Sequence, residues 1–468
     1  MINMIKSIYS NVQSCVKLNS DMNMSDFFNV TLGLKQGEPL SPILFLLFIN
    51  DINQRIDMSS LTEKDLNTLS MFLILFADDI VLFTTDPVSL QAQINNLVNY
   101  SDAWGLKINI DKTKICVFEK RKRLNNVEFY VYNEKIEIVD NFTYLGVRFT
   151  HTGNLSNAVK TLSDQALRAY YNLLSLFDKV EIDIRTKLKL FDTMIVPILL
   201  YGSEVWGVYN FKEVDKLHIR FCKNLLGVRQ QTPNMAVYGE LGRLPLSVIA
   251  KSRSIKFWLK IKNNANSPIS SLYMDQCANI NSNCWASNMN SIIDHLGFSQ
   301  LLNNYDINCN YMPLLKTRLY DQFKQEWSTC VNSMSKLDYY VRFKTSFCYE
   351  EYIDKFTNDS LRKHFSRLRL CSHSLEIEFG RFNGIDRENR LCKLCNQNTI
   401  ESEYHFLLCC SKYNDIRIKY LGYISWPTIQ KFNSYMSTKK RNNLIKISKF
   451  IKEAFAIRKT DLENLTAL

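Results

Sequence analysis

The chain reads as an α+β protein: an antiparallel sheet with packed helices, then a mostly helical region, then a small basic C-terminal domain. Three observations carry that reading. Short β-rich apolar runs alternate with helical stretches up to residue 154. From Leu155 onward apolar side chains step by three and four, the spacing of one helix face. Close to the C-terminus, RLCKLCNQNTIESEYHFLLCC gathers cysteines and a histidine at the spacing of a metal site. Segments of strands followed by segments of helices are the pattern of α+β folds.

In chain order, SCVKL and FFNVTL are β-type runs separated by the polar stretch NSDMNMSD. SPILFLLFINDI follows as a helix, with Ser41 as its N-cap and Pro42 at the first helical position. MFLILF and IVLFTT are apolar strands joined through Ala77-Asp78-Asp79, and ICVF, EFYVY and YLGVRF continue the strand-rich texture. Leu162, Ala166, Ala169, Leu173 and Leu176 then form a helical stripe, continued by IRTKLKLFDTMIVPILLYGSEVW and EVDKLHIRFCKNLL. NNANSPISS reads as a linker. The expected domains are therefore residues 1–154, 155–262, 263–360 and 361–468.

The net charge is +12, and from Leu361 to the end 20 Lys and Arg stand against 10 Asp and Glu. A basic terminal domain suits a polyanion, because each phosphate neutralised releases counterions. The longest apolar runs, such as Ile43 to Ile49, fall far short of the roughly 20 residues of a membrane span, so no membrane partner is expected. MINMIKSIYSN has neither an apolar core nor a cleavage site of a secretory signal. The thirteen cysteines are odd in number and mostly scattered, which predicts reduced thiols and an intracellular protein.

The sharpest motif is LILFADDIVLF, which places Asp78 and Asp79 on a tight connection between two apolar strands. Asp-Asp is not a favoured hairpin pair, and two adjacent like charges there are costly unless solvent or a cation relieves them. Magnesium takes oxygen ligands and bridges carboxylates to phosphates. Alone, the pair reads as a wet acidic turn, and GLKQGEPLSP alone reads as a plain turn before a helix. That second segment can also admit a phosphate or base, since its glycines free the backbone and the helix N-terminus offers N–H groups.

Taken together, GLKQGEPLSPILFLLFINDI, FADD, GLKINIDKTK and FTYLGV resemble, in order and spacing, the later palm blocks of reverse transcriptases of non-LTR (LINE-type, jockey-like) retrotransposons. The resemblance implies a partial palm over residues 1–154, a helical thumb over 155–262, a helical connector over 263–360 and a zinc knuckle within 361–468. It implies RNA-directed DNA polymerisation, with Asp78 and Asp79 as catalytic ligands of Mg²⁺ or Mn²⁺. Gln36, Gly37, Ser41 and Pro42 would shape the nucleotide and template pocket, Lys112 would lie beside the incoming deoxynucleoside triphosphate, and Tyr144, Leu145 and Gly146 would form the turn at the primer end. RNA template, DNA primer or target, and a nuclear or cytoplasmic ribonucleoprotein setting follow from the same resemblance. Phe76 stands where the family commonly has Tyr.

The family carries a further catalytic aspartate in a strand ahead of this block. Before Gly33 no F-x-x-D-F-D-type strand occurs, and Asp21 and Asp26 lie in a polar connector. A truncated copy, inactive by itself, is the expectation, with a non-catalytic nucleic-acid-binding remnant as the alternative. A group II intron maturase fits less well, because its P-Q-G-G block does not match LKQGEP.

In the cysteine segment, Cys392, Cys395 and His405 are candidate ligands of a closed, structural Zn²⁺ site. The fourth is Cys410 by the family's H-x₄-C spacing, with Cys409 left open. Phe406, Leu407 and Leu408 predict a short helix presenting His405 with the terminal cysteine. Cys371 and His373 are read as outside the cluster. Trp206, Trp258 and the face Leu444, Ile447, Ile451 and Ala454 are read as core, Lys120 to Arg123 as a solvated loop, and Lys439-Lys440-Arg441 as a weak nuclear-import signal.

Overall fold

A computed structural model describes residues 2–18, 23–35, 37–52, 73–118, 127–209, 211–278, 284–303 and 310–466. Gln36 and the Lys120–Arg123 run lie outside them. The chain divides into two compact units, residues 1–140 and 141–468. Helices dominate and the sheets are small, an α+β composition.

In the first unit the strands pair two by two. Gln13–Ser14 runs antiparallel to Phe28–Asn29, and Lys17–Leu18 antiparallel to Asn23–Met24. The stretch expected as a polar connector thus supplies one side of a hairpin. Leu73–Phe76 pairs with Asp79–Leu82 in antiparallel register, Leu73 opposite Leu82 and Phe76 opposite Asp79. Lys114–Ile115 lies parallel to Glu137–Ile138, and Tyr130–Val131 turns back on Glu134–Lys135 through Tyr132 and Asn133, both at positive φ.

The helix Pro87–Ala103 organises this unit. Asp86 caps it, accepting from the amides of Val88 and Ser89, and Pro87 has no amide to leave unsatisfied. Its Tyr100 forms a core with Ile52, with Leu73, Leu75, Ile80, Leu82, Leu97 and Leu106 half-buried around them. A second core of Ile94, Ile115, Phe129, Val131 and Ile136 lies alongside. The helix Ser41–Phe48 buries only Ser41. Its N-cap is Leu40, one residue earlier than expected. The Ser41 hydroxyl donates instead to the Lys35 carbonyl at 2.6 Å, closing the preceding turn.

The second unit opens with the hairpin Asn141–Tyr144 and Val147–Thr150 and is helical thereafter. In the helix Ser156–Lys179 the buried face is Val159, Leu162, Ala166, Tyr170 and Leu173. Leu176 is exposed and Ala169 only half-buried, while the Tyr170 ring on the buried face meets Phe191 and Phe221 edge-on. The larger hydrophobic core joins residues between Val159 and Ala250 to residues between Phe323 and Ala454, across the compositional shift near residue 360, and a second core from Val208 to Leu319 spans the shift near residue 262. Trp206, Trp258, Leu444, Ile447, Ile451 and Ala454 are all buried. Among the described residues no helix is long and apolar enough to cross a membrane.

Candidate functional site

The tip of the 73–82 hairpin is a two-residue turn, Ala77-Asp78, with Asp79 opening the second strand. Ala77 sits at φ +53°, a left-handed conformation that costs a non-glycine residue roughly 1–2 kcal/mol. The inner faces of both strands anchor the turn on the core around Ile52 and Tyr100. Asp78 and Asp79 are both exposed. Neither is bonded to a cationic side chain among the described residues, and no third acid, cysteine or histidine joins them in a metal-holding group there. Two adjacent carboxylates without a counter-charge are an oxygen donor set open to a divalent cation.

The same small core backs the upstream motif. The Tyr100 hydroxyl donates to Asp51 at 2.9 Å, and Phe48 meets Trp104 edge-on at 5.0 Å, which ties the end of the helix after GLKQGEPLSP to the helix behind the hairpin. Gly37 is at φ +90° and Pro42 lies in the first turn of that helix. The Tyr9 hydroxyl donates to Glu38 at 3.2 Å and stands 3.3 Å from the Ser41 hydroxyl. Ser41 is therefore buried behind the turn, bracing it, while Gly37 faces outward. Lys112 is exposed on a turn in which its amide donates to Asn109 at 3.1 Å.

In the second unit, Leu145 (φ +47°) and Gly146 (φ +78°) form the tip of the 141–150 hairpin, directly after Tyr144. Consecutive positive φ values are what a tight hairpin turn with right-handed twist demands. The Leu145 carbonyl accepts from the Tyr201 hydroxyl at 2.7 Å.

The ligand atoms of Cys392, Cys395, His405 and Cys410 all lie within 4.8 Å of one another. Cys392 Sγ is 3.9 Å from Cys410 Sγ, and Cys395 Sγ is 3.4 Å from His405 Nε2. A tetrahedron with metal–sulfur bonds of about 2.3 Å and metal–nitrogen bonds of about 2.0–2.1 Å has edges of roughly 3.5–3.8 Å, so the set fits one ion. The fourth member of the group follows from the backbone. Residues His405–Cys409 form a π-helical turn rather than an α-turn, with the Cys410 amide donating to the His405 carbonyl at 2.8 Å. An α-turn brings residue i+4 under residue i, whereas the wider turn brings i+5. Cys410 accordingly joins His405, and Cys409, half-buried, stays outside the group.

Around the cluster, the Cys392 amide donates to the Thr399 carbonyl at 2.9 Å, fixing the loop between the two halves of the site. Arg417 donates to the carbonyls of Leu407 and Cys410 at 3.0 and 2.7 Å. The hydrogen bond from Cys410 holds the Cys392 thiol low and pushes Cys410 up, while burial raises Cys395. Thr399 is a contact the sequence did not single out: its hydroxyl lies 3.1 Å from His405 Nδ1, on the far side of the ring from the cluster. A hydroxyl inside the loop between the C-x₂-C and the histidine was the available signal. His373 is bonded to Glu403 at 2.8 Å, and Cys371 is buried, both outside the four-residue group.

Two further buried polar groups carried no local signal. Arg369 donates to Glu240 at 2.8 Å and Glu350 at 3.1 Å and also to the Met436 carbonyl. Arg458, from the last helix, donates to Glu401 at 2.6 Å. Each partner is more than fifty residues away in sequence, except Glu350, nineteen residues before Arg369.

Residues 2–149 match the family described as reverse transcriptase (RNA-dependent DNA polymerase). Over 229 residues the chain is 28% identical to the retrovirus-related Pol polyprotein from type-2 retrotransposable element R2DM of Drosophila melanogaster, covering 46% of this chain and 20% of that protein. It is 26% identical over 238 residues to the Pol polyprotein from type-1 retrotransposable element R2 of Popillia japonica, covering 47% and 31%. With the RNA-directed DNA polymerase from mobile element jockey of Drosophila melanogaster it shares 22% over 205 residues, covering 42% and 22%. The chain thus spans less than a third of the length of each of these relatives. Residues 2–149 thus match the reverse transcriptase family, and over less than half of its length the chain is similar to polymerases of non-LTR retrotransposons.

Proposed function

We propose that the chain is a fragment of an RNA-directed DNA polymerase, comprising a partial palm, a helical thumb and connector, and a C-terminal domain folded around Zn²⁺. The observation that carries this is the exposed, uncompensated Asp78–Asp79 pair at the tip of a hairpin inside the segment that matches the family. When bound, magnesium or manganese would supply charge stabilisation for the attacking and leaving oxygens of a phosphoryl transfer. Asp78 and Asp79 would hold it. Gln36, Gly37 and Pro42 would bound the space beside the template and incoming deoxynucleoside triphosphate, Ser41 would brace that turn from behind, and Lys112 would offer a cation to the triphosphate. The Tyr144–Gly146 turn would support the primer end.

Cys392, Cys395, His405 and Cys410 would close all four positions of a zinc ion, leaving none for substrate, so that site is structural. Its binding free energy would contribute directly to the stability of the C-terminal domain.

A second reading, nucleic-acid binding without catalysis, is favoured by one observation: the aspartate pair gathers no third ligand among the described residues. Losing a bridging carboxylate removes both charge balance and geometry from a two-metal centre, which should cost more than the 10–100-fold typical of outer-shell losses. The expectation is that these 468 residues alone show no primer extension on an RNA template with Mg²⁺ or Mn²⁺, while still binding the primer–template. Extension abolished by Asp78→Asn would establish a complete enzyme and remove the second reading.

A further inference from the structure

We propose that Tyr423 and Trp426 form a stacking platform for unpaired bases of single-stranded RNA, held in place by the cysteine–histidine cluster. The RNA assignment rests on the polymerase reading above; the platform itself rests on the following geometry.

Trp426 and Tyr423 are each 83% exposed. Trp206, Trp258 and Trp327 in the same unit are at most 3% exposed. Leaving an indole in water forgoes the burial energy that such a ring normally contributes. Yet the segment carrying these rings, between the helices Asn414–Leu421 and Ile429–Met436, is firmly tied. Ile424, between the two rings, packs into the main core. Thr428 caps the following helix, accepting from the Lys431 amide at 3.2 Å. The Pro427 carbonyl, next to Trp426, accepts from the Tyr404 hydroxyl at 2.8 Å.

Tyr404 immediately precedes His405, and its ring is stacked 6.4 Å from Tyr339 and packed against Phe432. The π-turn that sets the metal ligands therefore also sets the residue that holds the aromatic loop. Two rings facing solvent on a braced loop are preorganised to receive a flat partner without losing much side-chain freedom.

Charge identifies that partner. From Lys412 to Lys452 ten Lys and Arg stand against one acid, Asp415. Nine of the ten are exposed, Arg417 being the buried one. Lys431, Lys446, Lys449 and Lys452 have no acidic partner among the described residues. Both helices flanking the loop pack on the long helix Arg441–Thr466, which carries three of these lysines. Exposed aromatic faces within a basic surface are how proteins hold single strands: phosphates meet the lysines and bases stack on the rings. A duplex has its bases already stacked and offers the rings nothing.

The test is fluorescence anisotropy with the full chain loaded with Zn²⁺, using a labelled, unstructured RNA of about 20 nucleotides, the matched single-stranded DNA, and an RNA duplex of equal length. Trp426→Ala and Tyr423→Ala should each weaken binding to the single-stranded RNA by about tenfold and leave the duplex unchanged. Trp426→Phe should restore most of the loss, and RNA should quench a component of tryptophan emission that Trp426→Ala lacks. RNA should bind at least as tightly as the matched DNA strand.

Unchanged RNA binding in both alanine variants, or equal loss on single strand and duplex, would overturn the platform. A tighter, Trp426-dependent hold on the DNA strand would overturn the RNA assignment. So would Trp426-dependent binding to phosphatidylserine vesicles without binding to RNA. Since no step requires polymerisation, failure of primer extension bears on the polymerase reading alone.

Discussion

The Tyr201 hydroxyl donates to the Leu145 carbonyl at 2.7 Å, joining a helical segment to the tip of the 141–150 hairpin. This tip needs two successive left-handed residues, and only one of them is glycine. The tyrosine supplies a fixed partner for a carbonyl that the turn directs away from its own strands. Tyr201→Phe keeps the ring and removes the bond, at an expected cost of about 0.5–1.5 kcal/mol. Urea unfolding should show that loss, with faster amide exchange confined to the hairpin. Gly146→Ala should cost about 1 kcal/mol from backbone strain, because its added Cβ would meet Tyr201 only at 3.6 Å, an ordinary contact.

Cys409 and Cys410 provide a sharper test of the proposed zinc site. Cys410→Ser should abolish stoichiometric zinc binding, read by a chromogenic chelator after thiol modification, and should lower the melting temperature. Cys409→Ser should retain one zinc per chain. Equal loss in both variants would mean that the π-turn does not select the ligand.

Thr399→Val removes the hydroxyl beside His405 Nδ1 and leaves all four ligand atoms. Outer contacts of this kind orient the imidazole, and their loss typically weakens metal affinity 10–100-fold. Competition with a chelator of known affinity measures the change.

His218 is buried between Phe191 and Tyr238 and accepts from Arg243 at 3.0 Å; Arg243 also pairs with Asp192, and Cys222 lies close by. Burial, then the guanidinium charge, hold the imidazole well below its ordinary range, so it is neutral in the fold. The unfolded chain takes up a proton near pH 6.5 that the folded chain refuses. Stability contributed by this site is therefore complete above that pH and is lost as pH falls, by at most about 1.4 kcal/mol per pH unit. Urea titrations from pH 7.5 to 5.5 should show a shallower decline for His218→Gln than for the parent.

Arg369, Glu240 and Glu350 form a buried ion cluster, with Arg369 1% and Glu240 0% exposed in their side chains. Removing one partner leaves an uncompensated charge, so Glu240→Ala should cost about 3–5 kcal/mol. A drop of under 1 kcal/mol in chemical denaturation would mean that the cluster is hydrated in solution.

Much of this site was legible in the sequence because its determinants are local. The Asp78–Asp79 pair announces a strained tip within two apolar runs, and C-x₂-C with a downstream histidine announces a tetrahedral set. The choice between Cys409 and Cys410 could not be read from a helical wheel, since it depends on whether the turn closes at i+4 or i+5. The strand Asn23–Met24 within NSDMNMSD and the strand Glu134–Lys135 were missed because two-residue strands leave no period to detect. Leu176 was taken for core because its spacing fits, but the buried face of the helix ends at Leu173. Arg369 and Arg458 gave no signal, as their carboxylate partners reach them only through the tertiary fold.

The 73–82 hairpin has one further consequence. Its two strands pair only with each other among the described residues, leaving outer N–H and C=O rows open and apolar side chains half-covered. Such ribbons are marginal in isolation and recruit neighbouring chains. Material containing residues 1–140 should therefore tend toward concentration-dependent clumping during purification, whereas residues 141–468 keep a large core of their own.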